Sequence, residues 1–351
     1  MINIKEIEFK NFSEIDQNDL FEFYKISFPQ KNKLIFKNWK WIYRVSLNNI
    51  EPFVAIHKKK IVGHAGMIST KISFMEKSYD GLWFVDFYIL PEYRNKGLGK
   101  IMTKKWMNLA KIHLTICNDH SLSVFNNLGW STNNNYFKSC NIINPLKWIP
   151  VINLLDVKLL DNLNFFKFFK KKSLDREIKF YKLKGNEKLA DDLFKIKNGK
   201  NINSLNPAIL RDQNWVNWRL LESPFIDYYY YYLIDNSFII VSIFNDSKKR
   251  KKLNILYSYY ENKKYKELLL NNLTNWSINN NIDIMWIELN NLDKNFDIIK
   301  NYTKNFKINF AFNSNDEILT KKNLAQISNL EAIDSDVDIL SYNKLNNSIN
   351  I

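Results

Sequence analysis

The period of apolar positions changes along the chain. Leu20, Phe21, Phe23, Tyr24 and Ile26 recur at helical spacing, and the run stops before Pro29. Phe36, Trp39 and Tyr43 mark a second amphipathic helix over 34–43. Two apolar runs, 53–56 and 61–68, flank Lys58-Lys59-Lys60 and predict a hairpin. Residues 82–90 read as a continuous apolar strand, interrupted only by Asp86. A helix over 98–111, a strand over 112–117 and a helix over 121–128 that stops at Gly129 complete the first half. Strands at 227–233, 238–244, 253–260 and 282–289, with a helix at 264–277, repeat the β-α-β order in the second half. Two α/β domains are therefore expected, 1–143 and 176–351. Between them, 144–175 carries Pro145, Pro150, Phe165-Phe166-Lys167-Phe168-Phe169 and Lys170-Lys171-Lys172. It reads as a linker helix, with a membrane-surface helix as the alternative. A faint echo joins the halves: Asn38-Trp39-Lys40-Trp41-Ile42-Tyr43 against Asn214-Trp215-Val216-Asn217-Trp218-Arg219, whose tryptophan spacings differ by one residue.

Composition fits this layout. The 351 residues are 46% hydrophobic and 25% charged, enough for two cores and against wholesale disorder. No run reaches the ~18 uncharged apolar residues of a spanning helix. The first residues lack a signal-peptide pattern, and two cysteines, Cys117 and Cys140, cannot form a disulfide framework. A soluble, cytoplasmic protein is expected. The net charge of +15 is carried by lysine, since the 51 basic residues include only six arginines. Lysine reads bases and phosphates less well than arginine does, so this excess predicts a solvated surface and no specific nucleic-acid partner. Glycine is scarce, with eight in all, and six precede residue 130. Each then marks a backbone requirement.

The segment with the densest chemistry is Val85-Asp86-Phe87-Tyr88-Ile89-Leu90-Pro91-Glu92-Tyr93-Arg94-Asn95-Lys96-Gly97-Leu98-Gly99-Lys100. A strand runs into a Pro-marked turn, a basic glycine loop and a helix start. Successive backbone N–H groups at such a junction form a concave donor nest suited to a pyrophosphate. No Gly-Lys-Ser/Thr follows, and the three-glycine dinucleotide fingerprint is missing. Arg94-Asn95-Lys96-Gly97-Leu98-Gly99 resembles the acyl-CoA signature Arg/Gln-x-x-Gly-x-Gly/Ala of the GCN5-related N-acetyltransferase (GNAT) superfamily. Pro91-Glu92-Tyr93 before it, Asn118 after the next strand, and Phe125-Asn126-Asn127-Leu128-Gly129-Trp130 extend the resemblance over about residues 5–140.

The resemblance implies a GNAT fold: a central mixed, mostly antiparallel sheet flanked by helices, followed by a second, degenerate GNAT-like α/β domain. It implies acyl transfer from acetyl-CoA or another acyl-CoA, as co-substrate, to a primary amine. The expected cofactor contacts are Tyr88, Ile89, Leu90, Arg94, Asn95, Lys96, Gly97, Leu98, Gly99, Lys100, Asn118 and Phe125. Phe125 stands where the family often has the tyrosine that protonates the leaving thiolate. The thioester carbonyl would meet a strand N–H near Tyr88 or Ile89. Asp86 is the candidate general base, with His64 and Glu92 behind it. In the second half, Trp215, Trp218 and Arg219 resemble a pattern of acetyltransferase-like proteins of surface-polysaccharide clusters and are expected to recognise the acceptor, an amino sugar. Two other readings stay open: a FemABX-like peptidyl transferase using aminoacyl-tRNA, and a non-catalytic acyl-CoA-binding regulator. His113, Cys117 and His120 lack a fourth ligand at matching spacing, and the loop from Asp334 lacks the glycine and glutamate of a calcium loop, so no metal is expected.

Overall fold

The computed structural model describes residues 6–45, 50–144, 179–186, 206–246, 250–290, 304–327 and 330–335. Most of the expected linker, 145–175, lies outside them.

In the first half, β1 (Glu8–Asn11), α1 (Gln17–Ser27), α2 (Asn32–Ile42), β2 (Phe53–His57), β3 (Lys60–Phe74), β4 (Lys77–Ile89), α3 (Leu98–Met107), β5 (Ile112–Cys117), α4 (Asp119–Asn127) and β6 (Ser131–Ile142) follow in order. The second half adds β7 (Tyr181–Lys182), β8 (Ala208–Ile209), α5 (Gln213–Val216), β9 (Tyr229–Ile234), β10 (Ser237–Asn245), β11 (Lys251–Tyr259), α6 (Lys263–Asn279), β12 (Ile284–Asn290), β13 (Lys304–Ser314) and α7 (Lys321–Leu324). Asp16 and Asn118 cap α1 and α4 by accepting from Asn18 and Ser121 N–H groups, which fixes where those helices begin. Among the described residues no helix is long and apolar enough to cross a membrane.

One sheet runs through both halves in the order β1-β2-β3-β4-β5-β13-β6-β12-β11-β10-β9-β7, with β8 pairing β3. This order is a palindrome when β1 to β6 are matched in turn with β7, β9, β10, β11, β12 and β13. Pairing sense obeys the same symmetry. Among the described strands only β4–β5 and β11–β12 are parallel, each joined through a crossover helix, α3 or α6. The exchange lies at the centre. β13 inserts between β5 and β6, and β6 takes the corresponding place between β12 and β13. The expected boundary at 143 falls just after β6, but the sheet continues across it.

The tryptophan echo joins the two halves reciprocally. Trp41 Nε1 donates to the Trp218 carbonyl at 2.7 Å, and Trp218 Nε1 returns the bond to the Trp41 carbonyl at 2.8 Å. The extra residue of the second motif is absorbed in a π turn, Asn217–Leu221, closed by Glu222 N–H to the Asn217 carbonyl at 2.8 Å. A hydrophobic core continues through both halves, from Phe12 and Trp83 to Phe238 and Phe310, and a smaller one lies under α6.

Candidate active site

β4 and β5 run in register from Gly81↔Ile112 to Trp83↔Leu114 and then separate. Thr115 Oγ1 donates to the Phe84 carbonyl at 2.8 Å at the point of divergence. Beyond it β5 follows β13 as far as Cys117, while β4 stays with β3 as far as Ile89. A wedge-shaped cleft opens between the two strands.

β4 is bulged within this cleft. Gly66 pairs with Val85 and His64 with Tyr88, so two residues, Asp86 and Phe87, face Ala65. Asp86 takes φ +50°, uncommon for a residue with a Cβ. The extra residue shifts the alternation of faces. Phe84 and Phe87 pack together, and Phe84 packs at a tilt against Trp106 of α3. Asp86 and Tyr88 turn to the opposite face, against α1 and α2. Gly66 makes room for this: a Cβ there would lie 2.7 Å from the Val85 carbonyl and 2.9 Å from the Tyr43 ring. After the bulge, Leu90 N–H bonds the Val62 carbonyl at 2.9 Å, so by alternation the Ile89 N–H points away from β3 and into the cleft.

The loop from Pro91 to Gly97 closes the same end. Gly97 is the N-cap of α3 at φ +86°, and the helix ladder starts with Ile101 N–H to the Gly97 carbonyl at 3.2 Å. The N–H groups of Leu98, Gly99 and Lys100 thus lack intrahelical partners and gather at the positive end of the helix dipole. Arg94 and Lys96 tie the loop to itself. Arg94 Nε donates to the Ile89 carbonyl at 2.8 Å with its guanidinium over the Tyr88 ring, and Lys96 Nζ donates to the Glu92 carbonyl at 2.6 Å. The cradle is mainly backbone, with Asn95, Lys96 and Lys100 exposed at its rim. Leu90 and Leu98 are buried and contribute only main chain to this surface.

The remaining expected residues are placed as follows. Asp86 does not sit in an apolar strand environment: its carboxylate pairs with Lys31 Nζ and accepts from Tyr43 Oη at 2.9 Å. Nothing local in the sequence links Lys31 or Tyr43 to Asp86, and only the fold brings the three together. Glu92 is exposed and bonded to Lys60. Asn118 Oδ1 accepts from Ser121 N–H at 2.9 Å as the cap of α4, at the far strand's end of the cleft. Phe125 is core, its ring 4.5 Å from Trp130 and 5.7 Å from Phe84 between centroids. Cys117 ends β5, and burial together with Asp119 pushes its thiol up to about 11, away from nucleophilic duty.

The expected acceptor group is corrected. Trp215, Trp218 and Arg219 are buried, and Arg219 is 1% exposed. Its guanidinium donates to the Ile333 and Ser335 carbonyls at 2.9 and 3.0 Å and lies over the Trp41 and Trp218 rings. These side chains join the halves; none of them faces a cleft. Aromatic residues and an arginine fork look alike in sequence whether they stack on a sugar or on each other.

The second half preserves the outline of the cleft and fills it. β11 and β12 are in register from Lys252↔Ile284 to Asn254↔Trp286 and then separate, and β11 bulges at Leu256. Two residues beyond that bulge, Ser258 donates through N–H and Oγ to Glu331 Oε1 at 2.7 and 2.8 Å. Glu331 and Asp334 are held by the buried Arg211, which meets Asp334 at 2.5 and 2.8 Å. The turn into α6 has no glycine, and Asn262 caps the helix through Tyr265 N–H.

A bulged, splayed parallel pair ending on a glycine-capped helix is the arrangement of the GNAT fold. Residues 12–130 match the acetyltransferase (GNAT) family model, and the chain carries a GNAT-family domain there. Similar solved structures extend the likeness over both halves. A GCN5-related N-acetyltransferase from Kribbella flavida has a TM-score of 0.59 at 10% identity, over 88% of this chain and 72% of that one. The N-myristoyltransferase of Saccharomyces cerevisiae, solved with myristoyl-CoA and inhibitors, gives 0.56 at 11%, over 89% and 81%. A putative acetyltransferase from Pyrococcus horikoshii gives 0.51 at 9%, over 93% and 96%. By sequence, no curated protein matches the chain.

Proposed function

We propose that the chain transfers an acyl group, acetyl in the first instance, from acyl-CoA to a primary amine, with the reaction confined to the first half. The observation that carries this is the meeting of cleft and cradle: the Ile89 N–H enters the cleft at the end where the Leu98, Gly99 and Lys100 N–H groups converge.

The residues fit the donor. The N–H cluster at α3 suits a pyrophosphate, and Gly99 keeps the first turn low, since a Cβ there would already sit 3.3 Å from Ile89 Cδ1. Bound acyl-CoA supplies an electrophilic thioester carbonyl. The Ile89 N–H would stabilise charge growing on that oxygen. On the α1–α2 face of the bulge, Asp86 is proposed to take the proton the amine must lose, with Lys31 and Tyr43 fixing its carboxylate. Phe125 provides no acid, so the thiolate would leave with a proton from water. The second half is proposed to be a copy of the same fold that has lost its glycine loop and holds residues 330–335 in its cleft. The residues that suggested an amino sugar are buried, so the acceptor stays a primary amine. Calorimetry with CoA should give one site per chain, and thiol release with acetyl-CoA should require an amine. Binding of tRNA without CoA binding would replace this reading with a peptidyl transferase; CoA binding without thiol release for any amine would make the chain a regulator.

A further inference from the structure

We propose that His64 is a positioning residue for acyl transfer: its Nδ1–H holds the Asp86 carbonyl out of the strand ladder and thereby fixes the bulge that aims the Ile89 N–H into the cleft. The inference rests on the acyltransferase reading above.

The bulge detaches the Asp86 carbonyl from pairing with β3, and a partly buried carbonyl taken out of the ladder needs another donor. His64, on the neighbouring strand, provides one, with Nδ1 2.5 Å from that oxygen. Because a carbonyl only accepts, Nδ1 must carry the hydrogen. The ring is fully buried and walled by Phe12, Tyr24, Phe28 and Tyr43, with centroids 5.0 to 6.0 Å away, so it is held in one orientation. The other nitrogen, Nε2, is buried without a hydrogen-bond partner among the described residues. A purely structural position in an aromatic cage would be filled better by leucine or phenylalanine, which strand no polar atom. The imidazole and the positive φ of Asp86 are both costly, and both sit where the thioester would be held. Burial also argues against His64 as the base, since it holds the ring down to about 4 and so makes it a weak proton acceptor. The same shift keeps the ring neutral near pH 7, and the Asp86 carbonyl keeps its single hydrogen on Nδ1.

The experiment pairs His64→Leu with His64→Asn. Asparagine places an amide N–H one bond from Cγ, as histidine places Nδ1, while leucine keeps bulk and removes the donor. In His64→Leu, kcat for thiol release should fall by about tenfold or more, because misdirecting one N–H by a fraction of an ångström is costly. CoA affinity should hold, since the phosphate cradle lies outside the bulge. His64→Asn should recover most of the rate. Equal kcat in the leucine variant and the parent overturns the proposal, as does an asparagine variant as slow as the leucine one. Imidazole ¹⁵N shifts of the parent protein give an independent reading even if His64→Leu fails to fold: the Nδ1–H tautomer is required, and an Nε2–H tautomer refutes it. Absence of CoA binding by the parent would instead refute the acyltransferase reading and leave the tautomer result standing.

Discussion

Replacing Gly97 by alanine tests the phosphate cradle with a built-in control. Gly97 and Gly185 take nearly the same left-handed backbone, φ +86° and +84°, one at the start of α3 and the other in the turn after β7. An added Cβ at Gly185 meets nothing within 4 Å, so strain from the dihedral is the whole effect there. An L-residue in this conformation costs about 1–2 kcal/mol. Gly185→Ala should therefore lose about that much stability and bind CoA as the parent does. At Gly97 the same strain falls on the residue that directs the first-turn N–H groups. If the loop relaxes in the free protein, binding must restore the strained form, and Kd for CoA should rise by about 5–30-fold. Denaturant titration gives the stability of both variants, and calorimetry with CoA gives the affinity. A Gly97→Ala protein that is folded, clearly less destabilised than Gly185→Ala because its loop has relaxed, and yet unchanged in CoA affinity would show that this loop does not hold the phosphates.

Asp86→Asn leaves the Lys31 ammonium, whose side chain is only 12% exposed, without its carboxylate and should cost about 3 kcal/mol of stability. If Asp86 takes the amine proton, its rate defect also shrinks as pH rises, a signature Lys31→Met should lack; identical pH–rate profiles in the two variants would reduce Asp86 to packing. Arg219→Lys loses the fork that spans Ile333 and Ser335, so stability should drop by about 1–3 kcal/mol with the acceptor KM unchanged; a raised KM at parental stability would reinstate an acceptor role. His64 and His113 are both held down to about 4 by burial, against an ordinary 6.5. Unfolding restores the ordinary value, so between pH 6.5 and 4 the unfolded chain binds more protons. Their contribution is complete above that window and is lost as pH falls through it, by about 1.4 kcal/mol per pH unit for each ring. A denaturation midpoint that does not shift between pH 7 and 4.5 would contradict both burials.

The loop at Arg94-Asn95-Lys96-Gly97-Leu98-Gly99 was legible because its determinants are local: a Pro-marked turn and glycines in a chain that has few. Strands with strong apolar runs, such as 53–56 and 112–117, were legible for the same reason. The two central strands were not. β6 opens with Ser131, Thr132 and Asn133, and becomes a strand because β12 and β13 lie on either side of it. Asn133 there donates to the Ala325 carbonyl and Tyr136 to that of Ile327, partners far away in sequence. β13 does alternate, with Phe306, Ile308, Phe310 and Phe312 separated by Lys307, Asn309 and Ala311, but no local signal places it inside the other half. The bulge was hidden too. Asp86 reads as a charged interruption of a strand until His64, Gly66, Tyr43 and Lys31 converge on it.

The exchanged central strands also govern how the chain is made. When Ile142 leaves the ribosome, β5 and β6 have no partners on the edges that β13 will later join. At about 5–20 residues per second, Ser314 follows on the order of ten to thirty seconds later. Throughout that interval β5 presents Ile112, Leu114 and Ile116 on an open edge, the kind of surface that templates pairing between chains. Release of the first half alone, by truncation or by a stalled ribosome, would leave that edge permanently open, and expression of residues 1–143 should yield aggregates instead of a minimal acyltransferase. Shielding of the nascent chain should therefore raise its yield, and among the described strands the centre of the sheet closes only when β13 is delivered.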